Sequence, residues 1–267
     1  MTTPGLTVGA REWRTPPVAK HALYSLLYLV VIIGAWWSYV HIAKVPPFLL
    51  PSPDAVGQSL LTMGSNGQLW GNLGYTVRNI LIGFVGGVVI GMVLGYLLWA
   101  SRLAREIAAP YVVILQAAPK IAIAPLLVLW FGLGLTSQLI LILALTFFPM
   151  MIAMNLGLAS VSNDVKTLGD LLGMSRMRYF LVVQLPGSLP SLFSGAKVAI
   201  IDAMTGAFLA EYISAQSGLG FLMVLGNSTY NIPMLLAAVI VTVAVGLSGF
   251  GLISIAESRL LRWRSNR

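Results

Sequence analysis

The sequence predicts an all-α membrane protein with about six transmembrane helices. Hydrophobic residues make up 58% of its 267 residues and charged residues only 9%, whereas soluble domains have about 45–50% apolar and about 25% charged residues. Most long apolar segments are hydrophobic all round, which does not suit a helix on a soluble surface. The few basic residues lie in short clusters between these segments. A lipid bilayer is therefore the expected solvent.

A helix needs about 20 apolar residues to cross the hydrocarbon core of a membrane, and six segments reach that length. They are predicted at 22–43, 77–98, 111–131, 137–158, 190–210 and 233–256. The third has the weakest pattern, because Pro119, Lys120 and Pro125 interrupt it. We accordingly divide the chain into an N-terminal segment 1–21, a transmembrane domain 22–257 and a basic tail 258–267.

The basic residues predict the orientation of these spans. With the N-terminus in the cytoplasm, six crossings place three further basic clusters on the same side, as the positive-inside rule requires. The clusters are Arg102 and Arg105; Lys166, Arg176 and Arg178; and Arg259, Arg262, Arg264 and Arg267. The loops on the other side contain Lys44 as their single basic residue. The net charge of +8 is thus explained by orientation, and we do not expect nucleic acid as a partner.

Small residues mark one face of the second span. Glycines recur there at every fourth position: Gly83, Gly87, Gly91 and Gly95. This spacing forms a bare stripe on one face of a helix, along which another backbone can approach closely. We expect tight helix packing at this stripe; a sliding surface for gating is the alternative.

The longest connection, about 159–189, is predicted to lie in the cytoplasm between spans four and five. It reads as two short amphipathic helices. The apolar residues lie on one face of each helix. They are Val165, Leu168, Leu171 and Leu172 in the first helix, and Met177, Phe180 and Leu181 in the second. Gly173 can adopt the left-handed conformation that ends a helix, and Ser175 can cap the next one. Such a connection has no core of its own, so we expect it to lie against another protein.

The second half of this connection resembles a loop of the integral membrane subunits of binding-protein-dependent ATP-binding-cassette importers. The loop of that family contains Glu-Ala-Ala, three residues, Gly, nine residues, Ile, one residue and Leu-Pro. Here Gly173 is followed after nine residues by Val183, and Leu185 and Pro186 come one residue later. The spacing of the family motif is therefore preserved in this half.

The first half departs from the family pattern. Thr167, Leu168 and Gly169 stand where the family has Glu-Ala-Ala, so the acidic residue of the motif is missing. Asp164 and Asp170 are candidates to replace it. The resemblance implies that the loop is a coupling loop, which docks on a separate ATPase subunit and passes the motion of that subunit to the membrane helices.

The resemblance extends over nearly the whole chain. The matching segments are PPFLLPSP from Pro46, AAPKIAIAPLLVLWFGLG from Ala117, FFPM from Phe147 and AEYISAQSGLGFL from Ala210. They look like the importer branch for sulfonates, taurine, nitrate, bicarbonate, and pyrimidine or riboflavin-type compounds. The resemblance implies a permease subunit that receives a small solute from an external binding protein. A pyrimidine or riboflavin-type vitamin precursor is slightly favoured as that solute.

The sequence contains no recognisable catalytic machinery. It lacks the phosphate-binding motif G-x-x-x-x-G-K-[ST], so ATP and Mg²⁺ are expected on partner ATPase subunits. Cysteine is absent, and His21 and His41 have no acidic cluster beside them, so we expect neither a metal site nor a bound cofactor. The serines lack a histidine base at a matching membrane depth. We therefore predict a chain without catalytic residues.

Four ionisable residues fall inside or at the edges of the predicted spans, where a charge needs a partner or water. They are Lys120, Lys197, Asp202 and Glu211. Lys120, Asp202, Glu211 and the neighbouring Tyr212 are candidates for the translocation pathway or a gate. Lys120 and Asp202 are expected at similar depth, either as an interhelical ion pair or as a pathway pair. For Lys197 we favour a long side chain that reaches the membrane interface.

Six spans in one chain form half of a pathway, so a second copy is the simplest partner. The alternative class is a stand-alone secondary transporter or channel driven by ion gradients. Against it stand the absence of visible internal repeats and the family-like loop. An intramembrane enzyme would need a nucleophile or a metal set, and neither is recognisable.

Overall fold

The structure, a computed structural model, describes residues 18–214 and 216–262, and every regular element in these ranges is helical. The helices are α1 Val18–Ile42, α2 Pro53–Ser65, α3 Gln68–Ala100, α4 Arg102–Ala117, α5 Lys120–Phe131, α6 Leu135–Ala159, α7 Asn163–Leu171, α8 Arg176–Tyr179, α9 Leu185–Ser214, α10 Leu219–Ser228 and α11 Ile232–Leu260. A π-helical turn, Phe180–Gln184, joins α8 to α9. The chain divides after Asp54 into two compact units; α1 belongs to the first, and α3 to α11 form the second.

In the described ranges, five stretches of helix are long and apolar enough to cross a membrane, and a bent pair of helices raises the number to six. The five are Tyr24–Ile42, Gln68–Ala100, Leu135–Ala159, Arg176–Ser214 and Ile232–Leu260. The predicted all-α fold with about six transmembrane helices is therefore confirmed. The predicted starts of two spans are wrong: the second helix begins at Gln68 rather than near 77, and the fifth begins well before Pro190.

The third span is the bent pair. The axes of α4 and α5 differ by 100°, with Ala118 and Pro119 between the two helices. Ala118 has φ −62° and ψ 136°, an extended conformation that the ring of a following proline favours. Pro125, by contrast, lies inside α5. The interruption predicted in the third span is therefore a sharp bend, and only the first of the two internal prolines lies at the break.

The glycine stripe of α3 lies directly against α6. The facing pairs are Gly83 with Ile142, Gly87 with Thr146, Gly91 with Met150 and Gly95 with Met154. A Cβ atom added to Gly87 would lie 2.6 Å from the Cβ of Thr146, which is closer than real atoms pack. The two helices therefore approach each other at a distance that only glycine allows.

The order of these pairs gives the direction of the helices. Residue numbers rise together along α3 and α6, so these helices are parallel, and α4 with α5 must carry the chain back along the bundle between them. Along α6 and α9 the numbers run in opposite senses, and along α9 and α11 they do so again. The pairs that show this are Gly157 with Ser188, Gly206 with Ile142, Gly246 with Met204 and Gly249 with Ile200.

The second unit consequently has two distinct ends. We call the end with α7, α8 and the last residues of α3 and α11 the loop end. The other, which we call the α10 end, contains α10 and the first residues of α3, α6 and α11. α6 lies between α3 and α9, and both neighbours pack along its length.

Candidate coupling and transport sites

At the loop end, α7 closes as its sequence predicts. Gly173 has a φ of 65°. The amides of Gly173 and Met174 donate to the carbonyls of Asp170 and Gly169, at 3.1 and 3.0 Å. These two bonds form a Schellman C-cap, which requires a residue in the left-handed conformation. Local hydrogen bonds thus decide where α7 ends.

The next helix begins immediately. The side chain of Ser175 accepts a hydrogen bond from the amide of Arg178 at 3.3 Å and so caps α8. α7 packs on α8 at Gly169, where an added Cβ would lie 2.8 Å from Cδ2 of Tyr179. The family has alanine at this motif position, and in this chain the ring of Tyr179 leaves room only for glycine.

The residues 163–184, which we call the coupling segment, leave most of their apolar side chains uncovered. Leu168 is 55% exposed, Leu171 79%, Leu172 69% and Met177 65%. Thr167 is also exposed. The residues whose hydrogen bonds and packing determine the fold of the segment are therefore different from the residues whose side chains are exposed on its surface.

The second short helix predicted from the sequence is not a separate element. α8 passes through the π turn into α9, so that one helical path runs from Arg176 to Ser214. The amide of Leu185 donates to the carbonyl of Phe180, one residue further back than in an α-helix. This wider turn comes directly before Pro186, whose ring would clash with a carbonyl in a regular α-helix. Pro186 and Pro190 thus lie within the helix rather than between two helices.

Phe180, in the π turn, joins the coupling segment to the bundle. Its ring packs edge-on against Tyr96 of α3, with ring centroids 4.9 Å apart. Together with Leu185 it also packs against a buried cluster that includes Met150 and Met154 of α6. The segment is therefore in contact with α3 and α6 as well as being continuous with α9.

At the α10 end, side chains from other helices bind the first amides of α10. Three successive amides donate: Gly218 to Oδ1 of Asn72 (2.8 Å), Leu219 to Oγ1 of Thr76 (2.9 Å) and Gly220 to Oε2 of Glu211 (3.0 Å). The first amides of a helix have no partner within the helix, and the N-cap residue Gly218 has no side chain to supply one. α3 and α9 therefore cap α10 from outside.

Glu211 is fully buried at the centre of this group. Its Oε2 also accepts the hydroxyl hydrogen of Thr76 at 2.8 Å, whereas its Oε1 has no hydrogen-bond partner among the described residues. Neither of the ion pairs seen among the described residues includes Glu211. A Cβ on Gly218 would overlap the carboxyl group, and one on Gly220 would lie 2.8 Å from Cβ of Glu211. The two glycines are therefore what allows the start of α10 to close over this side chain.

A second buried polar group lies beside Glu211. Oε1 of Gln138 accepts from Nδ2 of Asn79 at 2.9 Å and from the hydroxyl of Tyr75 at 3.1 Å. Nε2 of Gln138 donates to Oγ of Ser214 at 2.8 Å. These bonds connect α3, α6 and α9, so polar contacts hold the α10 end together, whereas apolar contacts dominate further along the bundle.

α9 leaves one side uncovered along its length. Its exposed residues recur at helical spacing: Gly187, Ser194, Val198, Ile201, Thr205 and Tyr212. The exposed residues of α3 over 81–97 are, by contrast, all aliphatic: Leu81, Ile82, Val85, Val89, Ile90, Val93, Leu94 and Leu97. An aliphatic face suits lipid, whereas a face with hydroxyl groups is typical of a surface that meets another helix or water.

The residues predicted for a pathway or gate do not form one site. Tyr212 is 41% exposed and lies on the uncovered side of α9, and Asp202 is half-buried next to that side. Glu211 points into the bundle instead. Lys120 is the first residue of α5, and its side chain lies outside the described residues.

Sequence reasoning missed Asn72, Thr76, Asn79 and Gln138. The first two lie before residue 77, the predicted start of the second span. A signal was present, because residues 72, 76 and 79 are four and three positions apart and share one face of a helix. Elsewhere in the described ranges, no group of three or more His, Cys, Asp or Glu residues could hold a metal ion.

These features define a class of protein: a polytopic membrane protein with hydroxyl groups on the uncovered side of α9 and an apolar segment displayed at one end. The chain belongs to the family of binding-protein-dependent transport system inner membrane components, whose family model matches residues 87–262. It is therefore the membrane-spanning permease subunit of an ATP-binding-cassette importer, which confirms the resemblance found in the sequence. A stand-alone secondary transporter or channel is not favoured.

Three relatives illustrate the match. A probable ABC transporter permease protein of Haemophilus influenzae is 33% identical and aligns over 84% of this chain and 91% of its own length. The riboflavin transport system permease protein RibX of Chloroflexus aurantiacus is 30% identical, with 89% of each chain covered. The taurine transport system permease protein TauC of Escherichia coli is 28% identical over 94% of this chain and 93% of its own.

The fold also matches a solved structure. An inward-facing structure of the MetNI methionine ABC transporter superposes with a TM-score of 0.60 and 20% sequence identity. The superposition covers 73% of this chain and 97% of the other. At this identity the match establishes the fold.

Proposed function

We propose that separate ATPase subunits drive this permease through the coupling segment. The observation that carries the proposal is the uncovered apolar surface of that segment on a capped, well-packed base. Leu168, Leu171 and Met177 are each more than half exposed, and removal of such apolar surface from water is favourable by about 25 cal/mol per Å² before the costs of association. A groove in a partner protein would cover them. The continuous helix from Arg176 to Ser214 then carries a displacement of the segment towards the α10 end.

The acidic residue that the family motif contains has two candidate replacements in this segment. Asp164 and Asp170 are both exposed and therefore accessible to a basic group of an ATPase. Thr167, Leu168 and Gly169 occupy the motif positions themselves, and Val183, Leu185 and Pro186 complete the motif where the segment enters α9.

We place the loop end in the cytoplasm. Basic residues at the end of α3, in the coupling segment and at the end of α11 all gather there, namely Arg102, Arg105, Arg176, Arg178, Arg259 and Arg262. This is the distribution that the positive-inside rule describes, and on the same rule both termini are cytoplasmic. Because the chain lacks cysteine, single cysteines at the exposed positions Leu172 and Gln216 would report orientation. Labelling of Leu172→Cys by an impermeant reagent outside intact cells would overturn it.

The uncovered side of α9 forms the wall of the translocation pathway in this proposal. A second copy that presents the same side would enclose a passage between two α9 helices. We also propose that Lys120 and Asp202 lie at similar depth. Ala124, one turn after Lys120, packs with Leu145 and Ala210, which supports a start of α5 deep within the bundle. An ion pair between helices and a charged pair along the pathway both agree with this placement.

For the solute we favour a pyrimidine or riboflavin-type vitamin precursor, ahead of sulfonate or taurine, nitrate and bicarbonate. The segments PKIAIAPL and FFP support this order, as does the 30% identical riboflavin permease. The taurine permease, at 28% identity, keeps an organic sulfonate as the second candidate. An external binding protein would deliver either compound.

The test is reconstitution. The chain, co-expressed with its ATPase subunits, is placed in liposomes with the binding protein, and uptake of riboflavin, a pyrimidine precursor and taurine is measured with and without ATP. We expect ATP-dependent uptake of one heterocycle, and a dimer of the permease in the purified complex. Uptake by the chain alone under an ion gradient, without any ATPase subunit, would contradict the proposal.

A further inference from the structure

We propose that Asn72, Thr76 and Glu211 form a latch that holds the start of α10 on α3 in the state seen here and releases it when the α10 end opens during transport. The inference rests on the proposed function, since opening must be driven. It changes the role that the sequence suggested for Glu211. This side chain is fully buried, so in the state seen here it holds neighbouring helices together and does not line an open pathway.

The latch is a compact set of bonds between three helices. Asn72 and Thr76 are one turn apart on α3 and accept the amides of Gly218 and Leu219. Glu211 of α9 accepts the next amide and the hydroxyl hydrogen of Thr76. Thr76 is thus both an acceptor for α10 and a donor to α9. Removal of its hydroxyl group alone would remove one hydrogen bond from α3 to each of the other two helices.

One atom of the latch favours release. In the described part of the chain, Oε1 of Glu211 has no hydrogen-bond partner, although the whole side chain is buried. A buried polar atom without a partner is unfavourable, and water would supply a partner once the start of α10 moves away. The described residues therefore hold the carboxyl group through Oε2 and leave Oε1 to gain a partner on release, which suits a contact that must break and re-form in each cycle.

The latch also includes a residue of α9, the helix that the coupling segment is proposed to move. Glu211 is on the same helical path as Arg176, about 50 Å away at 1.5 Å per residue. Ser214, one turn later, binds Gln138 of α6. A shift of α9 relative to α3 would therefore act directly on the bond between Thr76 and Glu211.

The state of the latch can be followed with a single cysteine. Leu219 is 1% exposed, and only its backbone amide takes part in the latch, so Leu219→Cys places a thiol beneath the closed contact. The complete complex, with ATPase subunits and binding protein in nanodiscs, is labelled with a maleimide without nucleotide and with a non-hydrolysable ATP analogue. We expect labelling at least tenfold faster in one state. The exposed control Gln216→Cys should react equally in both.

A matched pair of variants tests the hydroxyl group. With Leu219→Cys present, Thr76→Val should give fast labelling in every state and ATP hydrolysis that no longer depends on the binding protein, whereas Thr76→Ser should behave like the parent. Equal, slow labelling in all states of a complex that transports would overturn the latch. Absence of ATP-dependent uptake by the parent complex would instead overturn the proposed function. If Thr76→Val does not fold, the latch is still tested by the labelling rates of the parent complex with Leu219→Cys, compared without nucleotide and with the ATP analogue.

Discussion

Lys197 of α9 and Glu257 of α11 form an ion pair between two membrane-spanning helices. Their side chains are only 24% and 25% exposed, and Nζ of Lys197 also lies 5.6 Å from the centroid of the Phe250 ring. The sequence suggested that Lys197 reaches the interface with its long side chain. The structure provides a carboxylate partner instead, so the charge of each residue is compensated within the bundle.

This pairing predicts a non-additive effect. Lys197→Met should lower the free energy of unfolding by about 1–3 kcal/mol, because it leaves Glu257 charged and largely buried without a partner. Adding Glu257→Met should restore most of the loss. Thermal unfolding in detergent measures both effects. Glu106→Gln, which breaks the exposed pair with Arg102, is the control and should change little. Additive losses in the double variant would show that the pair has no coupling.

The glycine stripe predicts a contrast between neighbouring positions. A Cβ on Gly87 would lie 2.6 Å from Cβ of Thr146, whereas one on Gly86 would lie 3.5 Å from the nearest atom, Cδ1 of Leu143. Gly87→Ala should therefore cost about 1–3 kcal/mol through overpacking, and Gly87→Leu more, while Gly86→Ala stays close to the parent. Thermal stability and yield of the dimer are the measurements. Equal stability of the two alanine variants would show that α3 and α6 can move apart enough to accommodate the added methyl group.

The left-handed cap of α7 predicts a coupling defect without a folding defect. A Cβ on Gly173 would meet no atom within 4 Å, so Gly173→Val strains the backbone alone, by about 1–2 kcal/mol. We expect the variant to insert and dimerise but to lose ATPase subunits during purification. Gly173→Asn should retain them, because asparagine tolerates this conformation. Normal co-purification with the valine variant would mean that the cap does not orient the segment.

The exposed surface of the coupling segment predicts a second, independent loss. Leu168→Asp places a charge where an apolar contact with the ATPase is proposed, whereas Leu168→Met keeps the surface apolar. We expect the aspartate variant to reduce ATPase retention and uptake at least tenfold, and the methionine variant to reduce neither. Because Leu168 is 55% exposed, thermal stability of the isolated permease should be similar in both. Full uptake with Leu168→Asp would leave the segment as a mere connector.

The charges at membrane depth predict a loss of uptake that a double-mutant cycle can interpret. Asp202→Asn and Lys120→Met should each reduce uptake, since both residues are proposed to lie where an ionised group needs a partner or water. If the two residues pair, the double variant should be less impaired than the sum of the single variants. Additive losses in uptake and stability would separate them and leave Asp202 as an independent pathway residue.

The sequence by itself was sufficient for the membrane fold, for about six spans and for the cap between the two parts of the coupling segment, but not for the continuation of α8 into α9. Apolar length is enough to specify a transmembrane helix, because the bilayer requires every backbone group to bond within the segment. The cap at Gly173 and Ser175 was equally readable, since all its hydrogen bonds join residues no more than five positions apart.

Only the tertiary structure decided which polar residues meet. Thr76 and Glu211 are 135 positions apart, and Lys197 and Glu257 are 60 apart, and no local pattern connects such partners. Whether Glu211 faces a pathway or the inside of the bundle depends on how α3, α9 and α10 cross. Those crossings follow from close packing at glycines 83 to 95 against α6 and at Gly218 and Gly220 against Glu211. The hydropathy of a residue says whether it is apolar or polar. Which residues on two helices contact each other depends instead on how the surfaces of those helices fit together in three dimensions.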